Sequence, residues 1–353
     1  MAKRIRPREA ILQMAPYHPP TGGRADKLRL DFNENTIGCS PKVIEFLKQR
    51  LDENRLAVYP EYTEAKRDLA AHFKVSESEM LLTNGTDEAI QVLINTFIDD
   101  EDEVIILRPS YAMYKFYTEV AGGTVHELDY RAESLAFPLE ELLEAIQPTT
   151  RAVLISNPNN PTGTSVKIDG IERILKRASN AAVLIDEAYY EFCGITTLRH
   201  IEEYPNLFVS RTFSKVYGMA GMRLGCVFSQ SGNIQVMHKC QSPYSVNTLA
   251  ALAARVAVQD SAFISRYVTE VLAARELVFV GLEKLSIPYY DSDGNFVLMR
   301  LGPRAIEVRD KLREAGVLVR DRSYEIAGCV RVTIGTRDQM RRFLSELERI
   351  WKA

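Results

Sequence analysis

Apolar residues along the chain fall into short runs that alternate with longer stretches of helical or turn-rich character. Residues 151–156 and 181–185 are the clearest short runs, and their length and composition are typical of buried strands. Further strands are predicted near residues 80, 104, 124, 207 and 224. Strands that alternate with helices are typical of a mostly parallel sheet, so we predict an α/β fold with a large, seven-stranded domain over residues 41–255.

The start of this domain carries the signals of a helix N-terminus. Ser40 is a capping residue, and Pro41 stands at the first helical position, where a missing N–H group costs nothing. The residues that mark the apolar face of this predicted helix are Val43, Ile44, Phe46 and Leu47.

A second pattern of elements follows a long helical region over residues 247–285. Short strands are predicted at 295–301, 317–320 and 329–334, and they alternate with helices at 303–315 and 336–351. This pattern predicts a smaller C-terminal α/β domain that begins near residue 256.

Composition narrows the function classes. The chain has 353 residues and a net charge of −3, which argues against nucleic-acid binding. No apolar run approaches the roughly 20 residues of a membrane helix, and the basic N-terminus lacks an apolar signal core. The five cysteines are scattered without metal-site spacing, and an odd count does not suggest a disulfide framework. We therefore expect a soluble cytoplasmic enzyme with reduced cysteines, no metal, no nucleic acid and no membrane.

The most informative segment runs from Thr212 through Ser214 to Lys215, with Arg223 eight positions further on. A lysine amine can hold an aldehyde as a Schiff base, while hydroxyls, backbone N–H groups and an arginine can hold a phosphate. Gly218, Gly221 and Gly225 lie in the same stretch, and a closely packed pair of glycines is expected there. Together these residues indicate pyridoxal phosphate, although a Ser-Lys pair by itself is usually a solvated surface loop.

Two other segments fit the same cofactor. Asn157 begins an Asn-Pro loop after the strand at 151–156, and Asp186 and Tyr189 follow the strand at 181–185. Ligands of open α/β sheets lie beyond the carboxyl ends of the strands, so these side chains are expected to converge there. A carboxylate such as Asp186 keeps a pyridine nitrogen protonated, while Asn157 and Tyr189 could bond the phenolic oxygen of the ring.

A turn at Gly85 is a further candidate for phosphate binding. The strand at 80–83 runs into Gly85 and Thr86, and a helix is predicted from about Asp87. Such a turn offers free N–H groups and the positive end of a helix dipole to an anion. An ordinary strand-turn-helix, capped by Thr86, is the alternative.

These motifs together resemble those of the fold-type-I pyridoxal-phosphate aminotransferases, and within them most closely those of the histidinol-phosphate aminotransferases. The resemblance covers nearly the whole length of the chain. Its motifs are Pro16-Tyr17, Asn33-Glu34-Asn35, Tyr59-Pro60, residues 83–88, 109–111, 157–163 and 186–189, Ser214-Lys215, Arg320-Asp321 and residues 328–331.

The resemblance implies a role for each cofactor residue. Lys215 would be the Schiff-base lysine and Asp186 the partner of the pyridine nitrogen, while Tyr111 would stack on the ring. Tyr59 would reach the phosphate from the neighbouring subunit, which implies a homodimer with shared sites. The residues implied for the phosphate are Gly85, Thr86, Asp87, Thr212, Ser214 and Arg223. The resemblance also implies that residues 1–40 pack with the small domain of residues 256–353.

Substrate binding is implied for two arginines. Arg331 would hold the α-carboxylate of the amino donor, and Arg320 would meet the phosphate of histidinol phosphate. The residues implied to complete the pocket are Tyr17, Asn33, Asn295 and Tyr244. The implied reaction is a ping-pong transamination between histidinol phosphate and 2-oxoglutarate that gives imidazole-acetol phosphate and glutamate, with Lys215 as both anchor and acid/base.

Three alternatives share the same cofactor residues. An aromatic aminotransferase would differ only in whether Arg320 meets a substrate phosphate. A phosphothreonine-type decarboxylase would cleave a carboxylate and need no keto-acid acceptor. A ligand-sensing module without turnover is disfavoured, because no basic helix-turn-helix precedes residue 40.

Overall fold

The computed structural model describes residues 5–14, 16 and 22–353, which form two β-sheets with packed helices. The strands are β1 (Leu28–Leu30), β2 (Met80–Thr83), β3 (Glu103–Arg108), β4 (Thr124–Asp129), β5 (Thr150–Ser156), β6 (Ala182–Asp186), β7 (Leu207–Thr212), β8 (Gly225–Phe228), β9 (Tyr289–Tyr290), β10 (Phe296–Arg300), β11 (Val317–Asp321) and β12 (Cys329–Thr333). The α-helices are α1 (Glu9–Gln13), α2 (Pro41–Arg50), α3 (Glu53–Ala57), α4 (Thr63–Phe73), α5 (Gly85–Phe97), α6 (Met113–Ala121), α7 (Leu139–Ala145), α8 (Ile168–Arg177), α9 (Tyr190–Cys193), α10 (Ser231–Met237), α11 (Thr248–Ala257), α12 (Ser261–Lys284), α13 (Ala305–Glu314) and α14 (Arg337–Trp351). Short 3-10 helices lie at Glu77–Glu79, Leu198–His200, Ala220–Met222 and Gly302–Arg304.

The large sheet has seven strands in the order β2-β8-β7-β6-β5-β3-β4. The five strands from β7 to β4 are parallel, and β8 runs antiparallel to both β2 and β7. All seven predicted strands are present, so the prediction of a mostly parallel α/β sheet is confirmed.

Both faces of the large sheet are buried. Every residue of β6 is buried, and neighbouring residues of β5 point into different hydrophobic clusters, Val153 into one and Leu154 into the other. A parallel sheet covered on both faces needs such near-continuous apolar strands. The register pairs Ser156 with Asp186 and Asp186 with Ser210, so the carboxyl ends of β5, β6 and β7 lie together at one edge.

The second sheet has five strands in the order β1-β11-β12-β10-β9. β1 comes from the N-terminal part of the chain and pairs in parallel with β11, while the other pairs are antiparallel. This pairing agrees with the expectation that the N-terminal segment packs with the C-terminal strands. The domain boundaries at residues 41 and 255 stay a prediction.

Helix α2 begins as its capping signals predict. The backbone N–H of Lys42 donates to Ser40 Oγ at 3.2 Å, and Pro41 occupies the first position. Val43 and Leu47 are buried, but Ile44 is 44% exposed, so its placement on the apolar face was wrong. Residues 43 and 47 lie one turn apart on the same side, whereas Ile44 lies about 100° further round the helix.

No helix of residues 5–14 or 22–353 has the length and apolar character needed to cross a membrane.

Candidate active site

A cavity of about 420 Å³ lies where strands β5, β6 and β7 end, facing the arginines on and after β11 and β12. Many of the side chains predicted from the sequence line it. These are Thr86, Asp87, Tyr111, Asp186, Tyr189, Thr212, Ser214, Lys215, Arg223, Arg320 and Arg331. Residues from distant parts of the chain therefore meet in one space.

Lys215 stands in the turn that follows β7. Its Nζ donates a hydrogen bond to the carbonyl oxygen of Phe32 at 3.1 Å and lies 5.7 Å from the centre of the Tyr189 ring. The backbone N–H of Ser214 donates to Thr212 Oγ1 at 3.1 Å, which closes the turn just before the lysine. The amine is thus held against the N-terminal segment, beside an aromatic ring.

Asp186 is buried at the end of β6, where only hydroxyl groups contact its carboxylate among the described side chains. Ser210 Oγ donates to Oδ1 at 2.8 Å and the Tyr114 hydroxyl donates to Oδ2 at 2.9 Å. Burial raises the pKa of Asp186 to about 6, although both hydroxyls lower it. A carboxylate in such a dry position is poised to gain from a cationic partner in the cavity.

Asp87 links two of the predicted cofactor residues. It accepts a hydrogen bond from the Tyr111 hydroxyl at 2.6 Å and forms an ion pair with Arg223 at 2.9 Å. Burial and the neighbouring carboxylate raise the pKa of Tyr111, so its hydroxyl stays protonated. Arg223 is thereby held at the N-terminal end of α5.

Two glycines allow the backbone to come close beside α5. Gly85 has a φ of +76°, a conformation that side-chain-bearing residues rarely adopt. A Cβ on Gly225 would lie 2.7 Å from both Gly85 C and Thr86 N, so β8 touches the first turn of α5. By contrast, Gly221 has nothing within 4 Å of such a Cβ.

Arg331 is 4% exposed and enters the cavity from β12. It donates to the carbonyl oxygen of Asp31 at 2.7 Å and to Asn160 Oδ1, while its Nε has no partner among the described residues. Burial lowers its pKa to about 10, and the neighbouring guanidinium groups of Arg322 and Arg320 lower it further. An arginine with this environment is ready for an anion.

Arg320 reaches the cavity from β11. Its guanidinium lies 5.4 Å from the centre of the Phe32 ring, and the guanidinium of Arg24 lies 4.4 Å from the same ring. Phe32 therefore orients one arginine of the cavity and also accepts the hydrogen bond from Lys215.

Besides Gly85, three predicted site residues are buried but do not line the cavity. Asn157 Nδ2 donates to the Val166 carbonyl at 3.1 Å, and Val166 N donates back to Oδ1. Asn33 Nδ2 donates to the Tyr189 hydroxyl at 3.0 Å, and Asn295 Nδ2 donates to the Asn33 carbonyl at 3.2 Å. Asn33 thus positions a residue of the cavity wall.

Tyr59 and Tyr244 lie apart from the cavity on an exposed surface. Tyr59 is 76% exposed, and the two rings stack with centres 4.4 Å apart. Tyr17 falls outside the described residues.

Several residues of the site were not identified from the sequence. Tyr114, on α6, and Ser210, on β7, carry no motif in the sequence. Arg322, Tyr324 and Glu325 also line the cavity. The one sequence signal for Arg322 is its two-residue spacing from Arg320, which places both on the same side of an extended strand.

The donor set fits pyridoxal phosphate. A buried carboxylate suits the pyridine nitrogen, a lysine amine suits the aldehyde, and the first turn of α5 with Arg223 suits the phosphate. A side chain at position 225 would collide with the backbone of that turn, so only glycine fits there without a shift.

Known proteins resemble this chain over almost its full length. The family described as aminotransferase class I and II matches residues 25–347. A histidinol-phosphate aminotransferase of Geobacillus sp. is 33% identical, with 94% of this chain and 92% of that protein covered. One from Caldicellulosiruptor saccharolyticus is 32% identical, with 97% and 99% covered.

A solved structure shows the same fold. The structure described as a putative histidinol-phosphate aminotransferase from Erwinia carotovora atroseptica superposes with a TM-score of 0.85 at 28% identity, covering 92% of this chain and 96% of that one. The match of family, relatives and fold extends over both sheets and the cavity between them. The chain therefore belongs to the class I and II aminotransferase family.

Proposed function

We propose that this protein is a pyridoxal-phosphate-dependent histidinol-phosphate aminotransferase, which transfers an amino group from histidinol phosphate to 2-oxoglutarate. The observation that carries the proposal is one cavity that joins Lys215 and Asp186 to the arginines 320 and 331. Lys215 and Asp186 suit the aldehyde and the ring nitrogen of the cofactor, and the two arginines suit the anionic groups of both substrates. The relatives described above carry the same activity in their names.

When bound, pyridoxal phosphate supplies an aldehyde for the amino group and a ring that accepts electron density. Lys215 would hold that aldehyde, and its Nζ would move the proton at the carbon that bears the amino group. Asp186 would lie against the ring nitrogen and stabilise its protonated form. Tyr189 would serve the phenolic oxygen, and so would Asn157 through the amide hydrogen that is not bound to the Val166 carbonyl. The phosphate would be held by Thr86, Thr212, Ser214 and Arg223 together with the backbone N–H groups of Gly85, Thr86 and Asp87.

The two substrates explain why the cavity needs more than one arginine. Glutamate brings an α-carboxylate and a distal carboxylate, whereas histidinol phosphate brings a phosphate and no carboxylate. Arg331 suits the α-carboxylate, because a planar guanidinium binds a carboxylate through two parallel hydrogen bonds. Arg320 suits the phosphate or the distal carboxylate, which lie at the far end of the substrate.

We further propose a cytoplasmic homodimer in which Tyr59 reaches the phosphate of the neighbouring site. Tyr59 and Tyr244 form an exposed aromatic surface, and Leu56 and Val58 beside them are 63% and 64% exposed. A large exposed apolar patch is typical of an interface. The five cysteines are all free, as is usual in a reducing compartment.

The proposed two-domain division supports closure around substrate. Residues 41–255 would hold the cofactor, and residues 1–40 with 256–353 would carry Arg320 and Arg331 toward it. Lys215 already donates to the carbonyl of Phe32, so the N-terminal segment contacts the centre of the site.

The half-reaction of the purified holoenzyme tests the function. Histidinol phosphate, phenylalanine and phosphothreonine are offered separately as amino donors, and the visible absorbance of the cofactor and the release of CO₂ are followed. The proposal predicts that histidinol phosphate is preferred by orders of magnitude. Preference for phenylalanine would instead identify an aromatic aminotransferase, and CO₂ release from phosphothreonine would identify a decarboxylase.

A further inference from the structure

A third arginine, Arg322, lines the cavity beside Arg320. It is 9% exposed, and its Nε has no hydrogen-bond partner among the described residues. Its other nitrogens are engaged: Nη1 donates to the Tyr324 hydroxyl at 3.0 Å, and Nη2 pairs with the carboxylate of Glu325. A buried guanidinium with a spare N–H in a substrate cavity can still bind an anion.

The backbone holds Glu325 over this arginine. Arg322 N donates to the Cys329 carbonyl at 2.9 Å, and the N–H groups of Glu325 and Ile326 both donate to the Arg322 carbonyl at 2.9 Å. The chain thus makes a closed turn between β11 and β12 that returns Glu325 to Arg322. The pairing depends on this turn and not on a flexible surface contact.

Glu325 lies where three positive charges meet. Burial raises its pKa, while Arg322, Arg331 and Arg320 oppose the rise, with Arg322 the strongest of the three. The other carboxylates that line the cavity have partners elsewhere: Glu34 pairs with Arg24 at 2.6 Å, and Asp87 pairs with Arg223. Asp186 accepts hydrogen bonds from the hydroxyls of Ser210 and Tyr114. Among the described carboxylates of the cavity, Glu325 is therefore the one that occupies the place of a substrate anion beside Arg320, Arg322 and Arg331.

The formal charges around Glu325 indicate which kind of substrate anion could take its place beside the arginines. Three arginines and one carboxylate leave a net charge of +2, and a phosphate monoester carries about −1.5 to −2 near neutral pH. Resting on the function proposed above, we propose that Arg322 is a second binding residue for the distal anion of the substrate. Glu325 is its resident counter-ion, which that anion replaces.

This arrangement discriminates among anions. Without a counter-ion, the buried Arg322 would carry a large desolvation cost, so Glu325 stabilises the empty cavity. A substrate anion must then bind Arg322 better than Glu325 does. A dianion that contacts the guanidinium groups of both Arg320 and Arg322 meets this condition more easily than a small monoanion. Arg322 and Glu325 would thus set the preference for substrates with a charged distal group.

Inhibition by an anion separates two roles of the ion pair between Arg322 and Glu325. If Glu325 competes with the anion, its removal should strengthen anion binding. If the pair only stabilises the turn, its removal should weaken anion binding or leave it unchanged. The probe is inorganic phosphate, tested as a competitive inhibitor of the glutamate half-reaction of the holoenzyme, whose own phosphate site is filled by the cofactor. Glu325→Gln removes the competing charge, so we expect the inhibition constant of phosphate to fall about tenfold. Arg322→Gln should raise it by at least about tenfold, and Arg322→Lys should recover part of the loss.

The control is Glu307→Gln. Glu307 pairs with Arg304 at 3.3 Å with the same three-residue spacing, but outside the cavity, so phosphate inhibition should not change. If Glu325→Gln does not yield a folded holoenzyme, Glu325→Asp lengthens the ion pair and should shift the constant in the same direction by a smaller factor. An unchanged or weaker inhibition by phosphate in the Glu325 variants, or no competitive inhibition in any variant, would overturn the proposal.

This experiment does not require histidinol phosphate. If the wild-type enzyme reacts with glutamate but not with histidinol phosphate, the proposed function fails, while the phosphate data still decide the role of Arg322 and Glu325.

Discussion

The hydroxyl of Tyr114 donates a hydrogen bond to Oδ2 of Asp186 at 2.9 Å, inside the core and one layer behind the cavity. Tyr114 is fully buried on α6, and Ser210 on β7 binds the other oxygen of the same carboxylate. The two hydroxyls partly compensate the burial that raises the pKa of Asp186. The carboxylate proposed to bind the ring nitrogen is therefore held by two residues that do not line the cavity.

Tyr114→Phe should weaken the enzyme without changing the shape of the site. Without the hydroxyl, the pKa of Asp186 rises further, so the carboxylate is a poorer partner for a protonated ring nitrogen. We expect turnover and cofactor affinity each to fall about tenfold, with the loss greatest at the acidic end of the pH profile. Tyr117→Phe, on the same helix but outside the cavity, is the control. Equal effects of both substitutions would rule out this role for Tyr114.

The stability of the cofactor-free protein should depend on Asp186 in a defined pH range. Burial raises its pKa from 3.8 to about 6, so the folded state binds a proton more tightly than the unfolded state. The free energy of unfolding therefore falls as pH rises from about 4 to 6. Above this range the ionised, buried carboxylate destabilises the folded state by the full roughly 3 kcal/mol.

Asp186→Asn isolates this effect. The difference in free energy of unfolding between variant and wild type should grow in favour of the variant from pH 4 to 6.5, as measured by urea denaturation. With the cofactor bound the order should reverse, because the protonated ring nitrogen then compensates the charge. A difference that does not change with pH would show that the buried carboxylate carries no such cost.

Gly225→Ala tests the close approach of β8 to α5. The new Cβ would lie 2.7 Å from the backbone of Gly85 and Thr86, so the first turn of α5 must move. We expect a loss of about 1–3 kcal/mol in stability and a clear loss of cofactor affinity. Gly221→Ala is the matched control, since nothing lies within 4 Å of its Cβ. That variant should stay within about 0.5 kcal/mol of wild type.

The sequence predicts those parts of the protein that depend on local pattern. The seven strands of the large sheet follow from apolar runs. Lys215 and Asp186 follow from motifs at the ends of strands, whereas Arg331 follows from the family resemblance. Ile44 was misplaced because a run of apolar residues does not define one face of a helix. Tyr114 and Glu325 were missed because their partners are brought near only by packing and by a turn.

Arg320→Gln should separate amino donors that carry a distal anion from donors that do not. Arg320 lies at the end of the cavity proposed for the distal anion, whereas Arg331 is bound to the Asp31 carbonyl and Asn160. We expect the KM of histidinol phosphate to rise about 10- to 100-fold. The KM of a donor whose side chain carries no charge, such as alanine, should stay nearly unchanged. Half-reaction rates over a range of donor concentrations measure both. Similar losses for the two donors would mean that Arg320 supports the fold of the cavity and does not bind the phosphate.

Hybrid dimers test whether Tyr59 acts in the site of the neighbouring subunit. Tyr59 is 76% exposed and does not line the cavity of its own chain, so its side chain is free to reach a partner. Lys215→Ala lacks the anchor and Tyr59→Ala lacks the partner's contact, so each homodimer should be nearly inactive. In a mixed dimer, the site with an intact lysine receives the intact Tyr59 of the Lys215→Ala chain, and about half of the sites in such dimers should recover. Subunit exchange is verified with tagged chains. As a control, Lys215→Ala is paired with Tyr324→Ala; both changes alter the cavity of their own chain, so this pairing should give no activity beyond the sum of the two parents. No recovery in verified mixed dimers would confine each active site to a single chain.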